Sequence, residues 1–232
     1  MSEDARSRIA IIEDDAQIRK FLRISLEAHG YGVTEARDGP GGLEMIAAES
    51  PDVVILDLGL PTMDGREVIR RLREWTDVPI LVLSVRDAED EKVGALDDGA
   101  NDYVTKPAGI SELLARVRVL LRNREKEPGA DPVYRYGGLE VNFADRRVLM
   151  DRVEIHLSRK EYSLLALLAT HAGQVLTHQQ ILRHVWGDDA VRETHNLRVL
   201  VSSLRQKLAD EASRSRYLVT EQGVGYRLRA DG

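Results

Sequence analysis

Val53-Val54-Ile55-Leu56-Asp57-Leu58-Gly59-Leu60-Pro61 decides the fold of the first half of the chain. Four apolar residues in a row, without polar alternation, read as a strand buried on both faces, as in the parallel sheet of an α/β domain. A carboxylate where such a strand leaves the sheet stands at the rim where open α/β sheets bind ligands. Working outward, Ile9-Ala10-Ile11-Ile12 is a second run of this kind and leads directly into Glu13-Asp14-Asp15. Ile80-Leu81-Val82-Leu83 is a third and ends in Ser84, and the short strand Tyr103-Val104-Thr105 delivers Lys106-Pro107. Amphipathic segments near 16–29, 41–49, 65–74, 87–98 and 110–124 alternate with these strands. That is the βα alternation of a doubly wound fold.

The residue types at the strand ends point to one chemistry. Mg2+ takes hard oxygen ligands and keeps several waters, so one or two carboxylates suffice to hold it. A carboxylate such as Asp57 can act as a nucleophile and form an acyl phosphate. The incoming phosphoryl oxygens then need positive charge on more than one side, which a metal and Lys106 supply, because the transfer is mostly positioning and neutralisation. Ser84 offers a hydroxyl to the phosphoryl group. Any one of these residues alone reads as a helix cap or a solvated loop residue. Four of them at the ends of separate strands carry the signal.

Length and composition fit two domains. At 232 residues the chain exceeds the usual single-domain size. It has no cysteine, which excludes disulfides, thiol catalysis and a Cys-based zinc site. No apolar stretch approaches a membrane span and residues 1–8 are polar, so a cytoplasmic protein is expected. The net charge of −6 is uneven: residues 1–124 carry 17 basic and 24 acidic side chains, whereas residues 192–229 carry 8 and 4. A basic C-terminal end on an acidic chain indicates a local anionic partner. Glu125-Lys126-Glu127-Pro128-Gly129-Ala130-Asp131-Pro132 holds two prolines, a glycine and no large apolar residue, and reads as an exposed linker. The expected organisation is a first domain over 1–124, a linker over 125–133 and a second domain over 134–232.

Past the linker the pattern changes. Leu139–Phe143, Arg147–Met150 and Val153–Leu157 read as short strands of an antiparallel sheet. Ser158-Arg159-Lys160-Glu161 and Thr177-His178-Gln179-Gln180 are capping boxes that open two helices, and Gly187 ends the second. A third helix is expected from about Thr194 to Ala209, and a glycine-bearing hairpin follows around Glu221–Gly225. Leu197, Val201, Leu204 and Leu208 form the buried stripe of the third helix. Opposite lie Arg192, His195, Val199, Ser202 and Gln206, flanked by Asn196 and Ser203 on one side and Arg198 and Arg205 on the other. A helix with such a face can lie in a major groove, although a lone basic face is as often merely solvated. Trp186 reads as a core anchor rather than a base contact. His156, His171, His178 and His184 lack metal-ligand spacing.

The first half resembles the receiver domain of two-component response regulators. The resemblance covers roughly 8–124 and rests on Glu13-Asp14-Asp15, Asp57-Leu58-Gly59-Leu60-Pro61, Asp64-Gly65, Ser84, Gly99-Ala100, Tyr103 and Lys106-Pro107. It implies a flavodoxin-like, doubly wound parallel sheet of five strands, with Asp57 the phosphoacceptor of a sensor histidine kinase. It also implies Mg2+ held by Glu13 through water, Asp14, Asp57 and the Gly59 carbonyl. Ser84 and Tyr103 become a switch pair, Lys106 a phosphoryl ligand, and Lys106-Pro107 a cis bond. The second half resembles the winged helix-turn-helix output domain of the OmpR/PhoB family over about 134–230. Its hallmarks are Val185-Trp186-Gly187, Leu204-Arg205-Gln206-Lys207-Leu208 and Gly223-Val224-Gly225-Tyr226-Arg227. That likeness implies promoter DNA with direct-repeat half-sites, RNA polymerase as a partner, and Arg227 entering the minor groove. Within the family, the chain is most similar to regulators of a high-affinity potassium-uptake operon.

The resemblance also implies a homodimer through the fourth helix, fifth strand and fifth helix of the receiver. Lys92 with Glu112, and Asp102 with Arg116, match two of its cross-subunit ion pairs, whereas a third pair is replaced by Asn101 and Asn123. Val85 stands beside the switch hydroxyl where Ala is usual, and is expected to crowd the phosphoryl pocket. Ala108 stands where Phe is common, and leaves a gap or asks its neighbours to repack. Two alternatives follow: a regulator that binds DNA without phosphorylation, and an aspartyl-phosphate phosphohydrolase. The second needs an acid two residues after the nucleophile, and Gly59 stands there. The expected protein is a switched DNA-binding regulator, not an enzyme.

Overall fold

In the computed structural model, residues 6–85, 88–125, 133–187, 194–210 and 214–230 are described, and the chain divides into two compact units, Met1–Arg124 and Glu125–Gly232. The first unit runs β1 (Arg8–Ile12), α1 (Ala16–Ala28), β2 (Gly32–Ala36), α2 (Gly39–Glu49), β3 (Val53–Leu56), α3 (Gly65–Arg73), β4 (Ile80–Ser84), α4 (Glu89–Asp97), β5 (Asp102–Thr105) and α5 (Ile110–Glu125). The strands are all parallel and lie in the order β2-β1-β3-β4-β5. This is the flavodoxin-like order, whose ligand crevice opens where the chain reverses direction, between β1 and β3. The apolar runs explain the middle of the sheet, since every residue of β3 and β4 is buried. Strand β2 carries no such run because it is an edge strand, only partly covered along its length.

Local chemistry sets the helix starts. Asp15 accepts from the Gln17 and Ile18 N–H groups at 2.7 and 3.0 Å, and Asp38 and Asp64 cap α2 and α3 in the same manner. Gly65 lets the start of α3 pack onto the loop behind β3. A Cβ there would stand 2.5 Å from the Leu58 Cα and 2.7 Å from the Asp57 carbonyl oxygen.

The second unit begins with an antiparallel sheet of β6 (Val133–Tyr136), β7 (Leu139–Asn142), β8 (Arg147–Met150) and β9 (Val153–Glu154). The expected strand over 153–157 is therefore shorter, because β8 offers β9 only two paired residues. Helices α6 (Arg159–Thr170), α7 (His178–Trp186) and α8 (Thr194–Lys207) follow. Both capping boxes are formed, and Gly187 closes α7 with φ 92°. A second sheet, in the order β10 (Leu176–Thr177), β12 (Gly225–Leu228), β11 (Leu218–Glu221), completes the unit. Strand β10 has two residues and no sequence signal of its own. It exists because β12 reaches it, and a Cβ on Gly225 would strike the Leu176 carbonyl oxygen. Leu197, Val201, Leu204 and Leu208 are buried together with Leu200, and Trp186 packs at the edge of the same core under Lys160.

Candidate functional site

Four parallel strands bring their C-terminal ends to one rim, and the chemistry collects there. Glu13 follows β1 and is buried at 2% exposure, whereas its neighbour Asp14 is open to solvent. Asp57 follows β3, is 7% exposed, and is pinned by its N–H bond to the Ile12 carbonyl at 2.9 Å. Ser84 ends β4 and is fully buried. Lys106 follows β5, fixed by its N–H bond to the Ser84 carbonyl at 2.8 Å. The backbone ladder thus brings all four residues to one rim.

The Lys106 ammonium bridges the acids, 2.6 Å from Glu13 Oε2 and 3.1 Å from Asp57 Oδ2. Burial pushes the Glu13 carboxyl above its ordinary pKa, and the ammonium of Lys106 opposes that rise. Glu13, Asp14 and Asp57 each offer an oxygen within 4.8 Å of the others, a group that could hold a metal ion. The second Asp57 oxygen, Oδ1, is buried and has no hydrogen-bond partner. A buried carboxylate oxygen left without a donor is costly, so this atom is set for a cation or a phosphoryl group. Hard oxygen donors beside an open carboxylate fit Mg2+. The Lys106-Pro107 bond is cis.

The remaining receiver positions are placed as follows. Tyr103 is buried, with the Lys92 ammonium 5.9 Å from its ring centroid. Gly59 is exposed next to Asp57. Val85 is 69% exposed and lines an apolar groove of about 390 Å3 with Phe21, Pro107, Ala108 and Ile110. Lys106 lines the same groove, so Val85 stands beside the phosphoryl site, largely open to solvent. Arg116 holds Asp102 at 2.6 Å and Glu112 at 2.8 Å within one chain. Asn101 accepts from the Ile80 N–H at 2.8 Å and from Arg73 at 3.0 Å. Its amide oxygen thus serves the start of β4. Asn123 also has a partner within the chain.

In the second unit, His195, Asn196, Arg198, Val199 and Ser202 lie exposed on α8, opposite its buried stripe. Arg192 lies outside the described residues. Three other residues of the expected DNA-binding set have partners within the unit. Ser203 donates to Glu161 Oε1 at 2.7 Å. Arg205 donates to the Leu218 carbonyl at 2.6 Å and to the Thr220 hydroxyl at 2.8 Å, tying α8 to β11. Arg227 is ion-paired with Glu221 across the hairpin.

Glu161 is the residue whose importance the sequence hides. Its carboxylate is 3% exposed and receives Ser203, Lys207 at 2.7 Å and the Ser158 N–H at 2.6 Å. Burial opposes its charge, but the hydrogen bonds from Lys207, Ser203 and Ser158 together outweigh burial and hold its pKa at about 2. The capping box marked Glu161 locally. Nothing in the sequence marked the 42 and 46 residues that separate it from Ser203 and Lys207.

Comparison with known proteins gives a consistent result for both halves. Residues 9–118 match the response regulator receiver domain, and residues 152–228 match the transcriptional regulatory protein C-terminal family. The KDP operon transcriptional regulatory protein KdpE of Escherichia coli (strain K12) is 46% identical over 222 residues, covering 96% of this chain and 99% of that protein. KdpE of Mycobacterium tuberculosis (strain CDC 1551 / Oshkosh) is 44% identical, with 96% and 99% covered. Among solved structures, the Thermotoga maritima response regulator DrrB, an OmpR/PhoB homolog, aligns with a TM-score of 0.50 at 30% identity, covering 97% of this chain and all of that one.

Proposed function

The chain belongs to the KdpE-like transcriptional response regulators of the OmpR/PhoB type, and from that premise we propose that phosphorylation of Asp57 controls its hold on promoter DNA. The observation that carries the reading is the buried, partnerless Oδ1 of Asp57 beside the Lys106 ammonium. Phosphorylation by a sensor kinase is typical of the family. In the transfer, an Asp57 oxygen forms a bond to phosphorus as the bond from phosphorus to the kinase imidazole nitrogen breaks, and the imidazole leaves. Glu13, through water, with Asp14, Asp57 and the Gly59 carbonyl would hold Mg2+, which neutralises charge on the transferring group when bound. Lys106 neutralises the group from its other side, and the Ser84 hydroxyl donates to a phosphoryl oxygen afterwards. Tyr103 follows Ser84, and the movement biases α4, which carries Lys92.

Two receivers then pair through α4, β5 and α5. In this state Asp102 and Glu112 already share Arg116 within one chain. Pairing through these residues is therefore an exchange of partners rather than the addition of new charges. Dimerised receivers hold two winged helices near adjacent half-sites, where the exposed face of α8 meets base edges. A relative named for the KDP operon supports an operon of potassium transport as the target, and we propose RNA polymerase as the downstream partner and the cytoplasm as the location. No helix among the described residues is long and apolar enough to cross a membrane.

The test is direct. A small phosphodonor with Mg2+ should add one acid-stable, base-labile phosphate, and Asp57→Asn should abolish it. Labelling of that variant at another aspartate would sink the assignment. Phosphorylation should tighten binding to a two-site operator and barely change binding to a single half-site. Equal two-site affinity in both states would favour a regulator that works without phosphate.

A further inference from the structure

Arg66, Arg70 and Arg73 recur at helical spacing along one face of α3, and all three meet the end of α4 or the turn after it. Arg66 Nε lies 2.5 Å from Asp98 Oδ2, and the Arg70 guanidinium reaches the same oxygen at 3.2 Å. Arg73 donates to the Gly99 carbonyl and to the Asn101 amide oxygen, both at 3.0 Å. Asp98 is the C-cap of α4, where the helix dipole disfavours a carboxylate, and α4 has no basic residue in its own last turn. The charge is compensated from α3 instead. Gly94, one turn earlier, makes room for this contact, since a Cβ there would stand 2.6 Å from the Arg66 Cζ.

The two sides of the contact are anchored differently. Gly65, beside Arg66, packs on the backbone of Asp57 and Leu58, and its N–H bonds to the Leu58 carbonyl at 3.2 Å. The arginines therefore keep a fixed place relative to the phosphoacceptor. Helix α4 has nine residues and an internal glycine, and such a helix is held in place by packing rather than by its own stability. We propose that Arg66 and Arg70 clamp Asp98 as a latch, which keeps α4 in its unphosphorylated position and restrains the switch. The inference rests on the reading that phosphorylation shifts α4 and pairs two receivers. Arg73 fixes the turn beyond Asp98, so what the latch resists is rotation of α4 against α3. An ion pair made in only one of two arrangements stabilises that arrangement alone. The cost of release then falls on the active form, and its population without phosphate is lowered.

The experiment measures the dimer dissociation constant of the full-length protein by sedimentation, with and without saturating small phosphodonor and Mg2+. Thermal unfolding checks that each variant folds. Asp98→Ala should tighten the unphosphorylated dimer by up to about twentyfold, because both partners must release a latch worth about fivefold each. The phosphorylated dimer should barely change, its latches being already open. A double variant, Arg66→Gln with Arg70→Gln, should also tighten the unphosphorylated dimer, although it changes the net charge in the opposite direction. Adding Asp98→Ala to that double variant should bring no further gain. An unphosphorylated dimer left unchanged or weakened by Asp98→Ala would overturn the proposal. So would equal tightening in both states, which would place Asp98 in the dimer contact itself, or a gain that persists without the two arginines. If phosphorylation failed to tighten the wild-type dimer, the switch reading would fail, and the latch with it.

Discussion

The receiver and the winged-helix unit place their functional residues by different means. In the receiver, Glu13, Asp57, Ser84 and Lys106 each stand at the C-terminal end of a strand of one parallel sheet, and the ladder brings them to one rim. A residue at such a strand end has one place to go. In the second unit, the candidate residues lie around a single helix, and small rotations decide whether a side chain faces solvent or protein. Asn196 is exposed, whereas Ser203, on the same flank of α8, is spent on Glu161. A site at converging strand ends is therefore more firmly specified by sequence than a site on one helix face.

That contrast breaks most visibly through the metal cluster. Asp14→Ala should cut phosphorylation of Asp57 by orders of magnitude, because two anions would then approach without a cation ligated between them. Asp14 is exposed, so thermal stability should barely move. Labelling at the wild-type rate would remove Asp14 from the site, and with it the idea that the strand ends act as a unit.

A smaller but clear effect is expected at Glu161. Glu161→Ala should destabilise the second unit by about 2–4 kcal/mol, from the lost cap and the lost charge-assisted hydrogen bonds. Its pKa is lowered from 4.5 to about 2, so the carboxylate stabilises the fold fully above pH 4.5. That contribution is lost as pH falls from about 4.5 through about 2. Glu161→Gln should flatten the acid limb of the second unit's stability curve in this window, as followed by chemical denaturation. An unchanged limb would mean that the carboxylate is not held by Lys207 and Ser203 in solution.

The smallest predicted effects sharpen the comparison on α8 itself. Asn196→Ala should alter base preference by about 1–3 kcal/mol at one position of a selected site. Ser203→Ala should instead cost about 1 kcal/mol of stability and leave base preference alone, because its hydroxyl serves Glu161. A changed sequence logo for Ser203→Ala would return that residue to the DNA face.

The receiver site was legible because its signals are local: three unbroken apolar runs and one short strand, each leading at once to a functional side chain. The edge strand β2 left no such run, since one side of it is uncovered. The two-residue strand β10 was invisible, because only its pairing with β12 makes it a strand.

The sequence by itself determined the alternation of strands and helices, the four strand-end groups around Asp57, both capping boxes and the apolar stripe of α8. Each depends on neighbours within a few residues, where backbone geometry and periodicity decide the outcome. Tertiary structure alone decided the partners of Glu161, Asn101, Arg116, Arg205 and Arg227. Several of these pairings join separate elements, and even the ones within a helix or hairpin are one choice among many. A long polar side chain can satisfy its charge in many directions, and only the packed surroundings leave it one.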